Sequence, residues 1–354
     1  MKFWTMLCAI IGSTMLMQHP AEAGDNVGFR QFQAPTRERG TDLDVTVWYP
    51  AKPGGEMIMS GDTALFVGTA AMHDAPISGG TFPLILLSHG AGLAGTPQAL
   101  SWIATPLARQ GFVVAAPTHP GNTGKNKSAA ETMKLWLRPA DLTAALTAMA
   151  KDAFFAEHLE QGKVGVLGLS MGGNTALAIA GARVDPKLLA AYCDTDLLNA
   201  SLCDWVRQSG VDLHAMDLRA AGRDNRDERI HFTMAIDPAP SDVFDVKSLA
   251  SIRIPVDIVN LGRPGKIPAT ADASEIAKAI SKASYATIED ASHYSMFGEC
   301  KPRASEIIAS EQIGDPVCDD GGGRSRGAIH AQLIEMATAA FNRALKAGRK
   351  GYQQ

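Results

Sequence analysis

Beyond its first seventeen residues the sequence has no apolar run near the ~20 residues that a membrane-spanning helix requires. It also has no block of like charge. The 33 Lys and Arg are interspersed with 37 Asp and Glu for a net charge of −4, so neither nucleic acid nor an anionic membrane surface is an expected partner. A small molecule is. Cysteine is scarce, five in 354 residues, and no Cys-x-x-Cys spacing or nearby His pair offers a metal-binding pattern. No internal repeat and no low-complexity tract is present, which argues against solenoid and array architectures.

What is present begins with an export signal. Lys2 supplies a positive start, residues 3–17 an apolar run, and Ala21-Glu22-Ala23 a small-x-small cleavage site. Residues 1–23 are therefore expected to be removed, the mature chain to begin near Gly24, and the protein to reside in the periplasm or outside the cell. An uncleaved N-terminal anchor is the competing reading, but the run is short for one. Four cysteines follow the signal. An oxidising compartment makes them candidates for disulfides. Four cysteines allow three pairings, and the two local ones, Cys193 with Cys203 and Cys300 with Cys318, close the shortest loops.

The remaining ~330 residues suit one large domain, 24–354. Two strands are expected near 27–33 and 43–49, followed by a variable stretch, with glycine pairs at 54–55 and 79–80, that reads as loop. From Pro83 onward short continuous apolar runs appear at 84–87, 112–116, 164–169, 231–236, 256–261 and 285–288. Such runs suit strands buried on both faces. Between and after them lie helical stretches at 97–110, 139–150, 173–183, 273–282 and 327–346. The expected class is α/β, a mainly parallel central sheet flanked by helices. Residues 185–229 are too long and too charged for a simple connection. They read either as an inserted helical cap over a site or as a surface excursion.

The sharpest chemical signal is Gly168-Leu-Ser170-Met-Gly172, where a buried strand meets an alanine-rich helix. A nucleophilic serine needs this tight turn to project its hydroxyl above the sheet, and the helix N-terminus favours developing negative charge. A second run, 83–87, ends in Ser88-His89-Gly90-Ala91-Gly92, where a loop can present a backbone donor to an oxyanion. The amides of Ala91 and Met171 are assigned as that pair. In this type of turn the acid and then the histidine follow the nucleophile. His293, in a loop after the last expected strand, is the candidate base, whereas His330 falls inside the final helix.

The loop after the 256–261 run holds no carboxylate, so the acid is assigned one strand earlier, to Asp237, with Asp272 a weaker substitute. Asp257 lies within its strand, out of reach. Three further residues are candidates for the pocket lining: His89, which reads first as a loop-shaping residue, His119 in His-Pro-Gly-Asn, which reads equally as a turn, and Trp205, which reads first as packing but stands in the insertion where it could cover the site. Arg138-Pro-Ala-Asp141 reads as a structural helix start.

Taken together, Leu-Leu-Ser-His-Gly near 90, Ala-Pro-Thr-His-Pro-Gly-Asn near 120, Arg-Pro-Ala-Asp near 140, Gly-Leu-Ser-Met-Gly-Gly near 170, Ala-Ile-Asp-Pro-Ala near 237 and the histidine loop near 293 resemble the predicted dienelactone-hydrolase group of exported bacterial proteins. That group is similar to the platelet-activating-factor acetylhydrolase family. The resemblance implies an α/β-hydrolase fold and places the acid after the strand that follows the nucleophile's, at Asp237. Two departures stand out. Dienelactone hydrolases carry cysteine where Ser170 stands, and no strongly amphipathic apolar helix outside the core announces a membrane-binding surface.

The expected activity is hydrolysis of a small or medium ester by a Ser170–His293–Asp237 triad through an acyl-enzyme, with no metal or organic cofactor. An amidase or peptidase, a polyester hydrolase, and a binding protein that has lost activity are the alternatives. The insertion would hinder a polymer, and the filled triad positions disfavour a silent protein.

Overall fold

A computed structural model describes residues 26–122 and 126–346. The expected leader, residues 1–23, lies outside the described residues. The strands are β1 (Asn26–Ala34), β2 (Leu43–Ala51), β3 (Glu56–Ser60), β4 (Thr69–His73), β5 (Phe82–Ser88), β6 (Val113–Pro117), β7 (Leu159–Leu169), β8 (Phe232–Ile236), β9 (Val256–Leu261) and β10 (Ala283–Ile288). They form one sheet in the order β10-β9-β8-β7-β5-β6-β2-β1-β4-β3. From β10 to β6 every neighbour is parallel, and β2 then runs antiparallel to both β6 and β1.

The continuous apolar runs become strands because helices cover the sheet on both sides, except at β10, an edge strand in which only Ile288 is buried and Tyr285 is exposed. Every residue of β5, β6 and β8 is buried. Successive side chains point to opposite faces. Ile85 and Leu87 accordingly pack with the helices Ser101–Arg109 and Arg326–Phe341, through Ile103, Leu107, Ile329 and Leu333. Leu84 and Leu86 pack on the other side with Leu142, Leu146 and Ile179 from the helices Arg138–Met149 and Met171–Ala180. The final helix ends at Phe341, and a π turn, Asn342–Lys346, completes the stretch expected to be helical.

One expectation needs correction. The stretch between 54 and 80 holds β3 and β4, an antiparallel hairpin whose second strand joins β1 in parallel register. These strands sit at the sheet's edge, and Met57 and Met59 are 69% and 48% exposed. Their sequence carries neither a buried run nor a buried alternation, because the pairing comes from the remote backbone of β1.

The insertion contains the helices Pro186–Ala190 and Ala200–Gln208, capped by the side chains of Asp185 and Asn199. It is rooted in the core: Leu189, Tyr192, Cys203, Val206 and Leu213 are buried among Leu177, Val184 and Val243. Cys193 is bonded to Cys203 and Cys300 to Cys318, the two local pairings. Such bonds fit an oxidising environment. Among the described residues no helix is long and apolar enough to cross a membrane, and no group of three His, Cys, Asp or Glu could hold a metal ion.

Candidate active site

β7 ends at Leu169, and Ser170 turns the chain into the helix Met171–Ala180 with φ 54° and ψ −121°, a left-handed conformation that a side-chain-bearing residue rarely adopts. The crowding around it explains the flanking glycines. A Cβ on Gly168 would lie 1.9 Å from the Gly172 carbonyl oxygen, and one on Gly172 would lie 1.9 Å from that of Ser88. The Ser170 carbonyl accepts the amides of Gly173, Asn174 and Ala239, which fixes the peptide group that carries the Met171 amide.

Three elements then bring the polar side chains together. Ser170 Oγ lies 3.2 Å from His293 Nε2, and His293 Nδ1 lies 2.9 Å from Asp237 Oδ2. Asp237 follows β8 with φ 43° and is fully buried. Its other oxygen, Oδ1, accepts Asn260 Nδ2 and the Leu261 amide, each at 2.7 Å. With Oδ1 taken up by these two donors, Oδ2 is left to accept from the imidazole. It therefore draws the proton of His293 to Nδ1 and leaves the Nε2 lone pair facing the Ser170 hydroxyl. Neither other aspartate bonds to His293: Asp257 accepts from Ser284 and Arg343, and Asp272, the weaker substitute, accepts the Ser274 amide at the start of a helix.

His293 opens a short 3-10 turn, His293–Met296, held from the C-terminal helix and from Trp102. His330 Nε2 donates to the Ser295 carbonyl at 2.8 Å and stacks on Trp102, whose indole N–H donates to the Met296 carbonyl at 3.0 Å. Burial pushes the pKa of His330 down to about 4. An unfolded histidine titrates near ~6.5, so below that pH the unfolded state binds a proton that the folded state refuses. Stability is expected to fall between pH ~6.5 and ~4, by up to about 3 kcal/mol from this residue. Urea unfolding at pH 7 and pH 4.5 measures it. His330→Gln should flatten the slope, and an unchanged slope would show that His330 does not titrate this way.

Ser170, His293, Ala91 and Met171 line one cavity of about 710 Å³. Gly90 lies against the turn at Ser170, where an added Cβ would be 3.4 Å from Ser170 Cβ. The insertion supplies part of the wall through Leu198, Leu202 and Trp205, and the histidine turn supplies Tyr294 and Phe297. Trp205 thus lines the cavity rather than serving as packing alone.

His89 and His119 are not on that wall. Both are fully buried behind it. His89 Nε2 accepts the His119 amide at 3.0 Å, so its proton sits on Nδ1, which donates to the Gly90 carbonyl at 2.8 Å. That carbonyl belongs to the same peptide group as the Ala91 N–H. His119 lies between Ser88 Oγ, 2.9 Å from its Nε2, and Asp141 Oδ2, 2.8 Å from its Nδ1. Arg39 donates twice to Asp141, at 3.0 and 2.7 Å. Ser88, His119 and Asp141 repeat the order of groups seen at the cavity, but they are sealed at 0%, 0% and 1% exposure and meet no solvent. Burial holds both histidines well below the usual imidazole range, with Arg138 adding to the effect, so both are neutral.

Sequence reasoning overlooks this network and also Asn260. The signals are there: Arg138 and Asp141 stand in the otherwise apolar Trp-Leu-Arg-Pro-Ala-Asp-Leu, and Asn260 interrupts a buried strand.

The sequence matches the family model described as "Alpha/beta hydrolase family" over residues 84–304. No curated protein matches the chain. Among solved structures, a ferulic acid esterase from Streptomyces cinnamoneus is similar at 17% identity and a TM-score of 0.59, over 92% of this chain and 91% of the other. A puromycin-hydrolyzing peptidase from Mycobacterium tuberculosis is similar at 13% identity and a TM-score of 0.52, over 91% of this chain and 40% of the other. A dienelactone hydrolase from Anabaena variabilis reaches 14% identity and a TM-score of 0.49, over 90% and 99%. At these identities the likeness is one of fold.

Proposed function

Because the chain belongs to the alpha/beta hydrolase family, we propose that it is an exported serine hydrolase that cleaves small or medium carboxylic esters through an acyl-enzyme on Ser170. The carrying observation is the hydrogen-bonded series from Ser170 through His293 to Asp237, opening on a cavity with largely apolar walls. His293 Nε2 takes the hydroxyl proton as Ser170 Oγ bonds to the ester carbon. The carbonyl electron pair moves to oxygen, where the Ala91 and Met171 amides receive it. The tetrahedral centre then collapses, the alkoxide leaves with the proton from His293, and water repeats the sequence on the acyl-enzyme. Export rests on the leader composition of residues 1–23 and agrees with the two disulfides.

A p-nitrophenyl ester series from acetate to octanoate tests the reading, beside an anilide of the preferred acyl group. Hydrolysis is expected for esters, with a chain-length limit set by the cavity and little turnover of the anilide. Failure to cleave any ester would sink the assignment, and equal turnover of the anilide would move it to an amidase. Trp205 borders the cavity and shares no hydrogen bond with Ser170, His293 or Asp237, so Trp205→Ala should remove binding that ground and transition states share. Its KM for the preferred ester is expected to rise about tenfold, with kcat within about twofold. A fall in kcat at constant KM would contradict a wall role for Trp205.

A further inference from the structure

Arg138 opens the helix Arg138–Met149 and is 1% exposed. The carboxylate beside it, Asp141, engages Arg39 and His119 instead, and Arg138 Nη1 is buried without a partner. Burial pushes its pKa down to about 9. A guanidinium buried on these terms weakens the fold relative to an apolar side chain of like volume, so core packing does not account for it.

What Arg138 does hold is backbone. Nη2 donates to the His89 carbonyl, and Nε donates to Thr175 Oγ1 at 2.9 Å. Thr175 Oγ1 in turn donates to the Met171 carbonyl at 2.9 Å. His89 leads into Gly90-Ala91, and Met171 begins the helix after Ser170, so the planar guanidinium of Arg138, extended by the Thr175 hydroxyl, links the two segments that carry the proposed oxyanion donors.

We infer that Arg138, acting with Thr175, is a positioning residue that sets the separation of the Ala91 and Met171 amides. The inference rests on the serine-hydrolase reading above. Oxyanion donors act only within about 2.7–3.1 Å of the position where charge develops, so a small change in their separation is felt in the transition state and hardly in the bound substrate. The planar fork reaches both acceptors at once, which a lysine ammonium cannot do with the same rigidity.

The test compares the parent with Arg138→Lys and Thr175→Val, using an ester and the thionoester of the same acyl and alcohol groups. Sulfur is larger and a weaker acceptor than oxygen, so a well-spaced donor pair favours the ester. Each variant is expected to lose about 10- to 100-fold in kcat with KM within about twofold. The ester-to-thionoester ratio should fall and the acidic limb of the pH–rate profile should stay in place.

If Arg138→Lys fails to fold, Thr175→Val decides, with Thr175→Ser expected to restore the parent ratio because it keeps the hydroxyl. Folded variants that retain the parent kcat and ratio overturn the inference, as does a kcat loss at the parent ratio. A parent that hydrolyses no ester overturns the esterase reading, and this inference with it.

Discussion

Ser170→Ala is expected to lower kcat for a p-nitrophenyl ester by about 10⁴- to 10⁶-fold while leaving the fold intact. The hydroxyl is the only group at the turn that can form the acyl bond. Its loss removes a single hydrogen bond, the one to His293, and leaves the contacts that build the turn: the Ser170 amide still donates to Ile236, and the Ser170 carbonyl still accepts the amides of Gly173, Asn174 and Ala239. The melting temperature should therefore stay within a few degrees of the parent, since surface-lining changes of this size cost little. Labelling with a fluorophosphonate checks the same point independently: the parent should be modified at Ser170 and the variant not at all. A variant that keeps its turnover, or a label found on another residue, would remove Ser170 from the mechanism.

Asp237→Asn should be almost as damaging, and the reason lies in the other oxygen. Oδ1 accepts the Asn260 side-chain amide and the Leu261 backbone amide. An asparagine at 237 satisfies those donors only by turning its carbonyl oxygen toward them, which points its NH2 at His293 Nδ1. A donor there demands the lone pair on Nδ1 and drives the imidazole proton to Nε2. In that tautomer His293 meets Ser170 with an N–H and has no lone pair to take the hydroxyl proton. A loss of ~10⁴-fold in kcat is expected, with circular dichroism and melting close to the parent because every backbone donor keeps an acceptor. Activity surviving in this variant would place the orienting acid elsewhere. Asn260→Leu offers a graded companion: Oδ1 keeps the Leu261 amide, so the loss should be smaller than for Asp237→Asn.

Much of this site is legible in the amino-acid sequence. The runs at 164–169, 231–236 and 256–261 mark strands because a sheet covered on both faces needs apolar residues without alternation, and β7, β8 and β9 lie on them. The turn around Ser170 is legible because backbone crowding admits only glycine at 168 and 172. His293 follows from chain order, and Asp237 from the absence of a carboxylate after β9 together with the family resemblance. Their meeting cannot be read from local pattern. Ser170 and His293 are 123 positions apart, and His293 and Asp237 are 56 apart.

The elements that local pattern misplaces share one cause. β3 and β4 are hidden because edge strands draw their order from a partner's backbone, which leaves no periodic trace in their own side chains. His119, which reads equally as a pocket residue or a turn, follows a strand's C-terminal end, where residues usually face the site, while His89 holds its loop as its loop-shaping reading expects. In the fold a second layer of charge lies beneath that surface, where Arg39 and Asp141, 102 positions apart, neutralise each other. Local burial and backbone geometry repeat with the periods of helix and strand, so composition and spacing alone determined the buried parallel strands, the main helices that cover them, the disulfide-bearing loops and the tight turn at Ser170. The partners of buried polar groups are chosen across the fold, where desolvation makes any unpaired donor costly, so only the tertiary structure decided which groups anchor Asp237, where His89 and His119 lie, and what Arg138 holds.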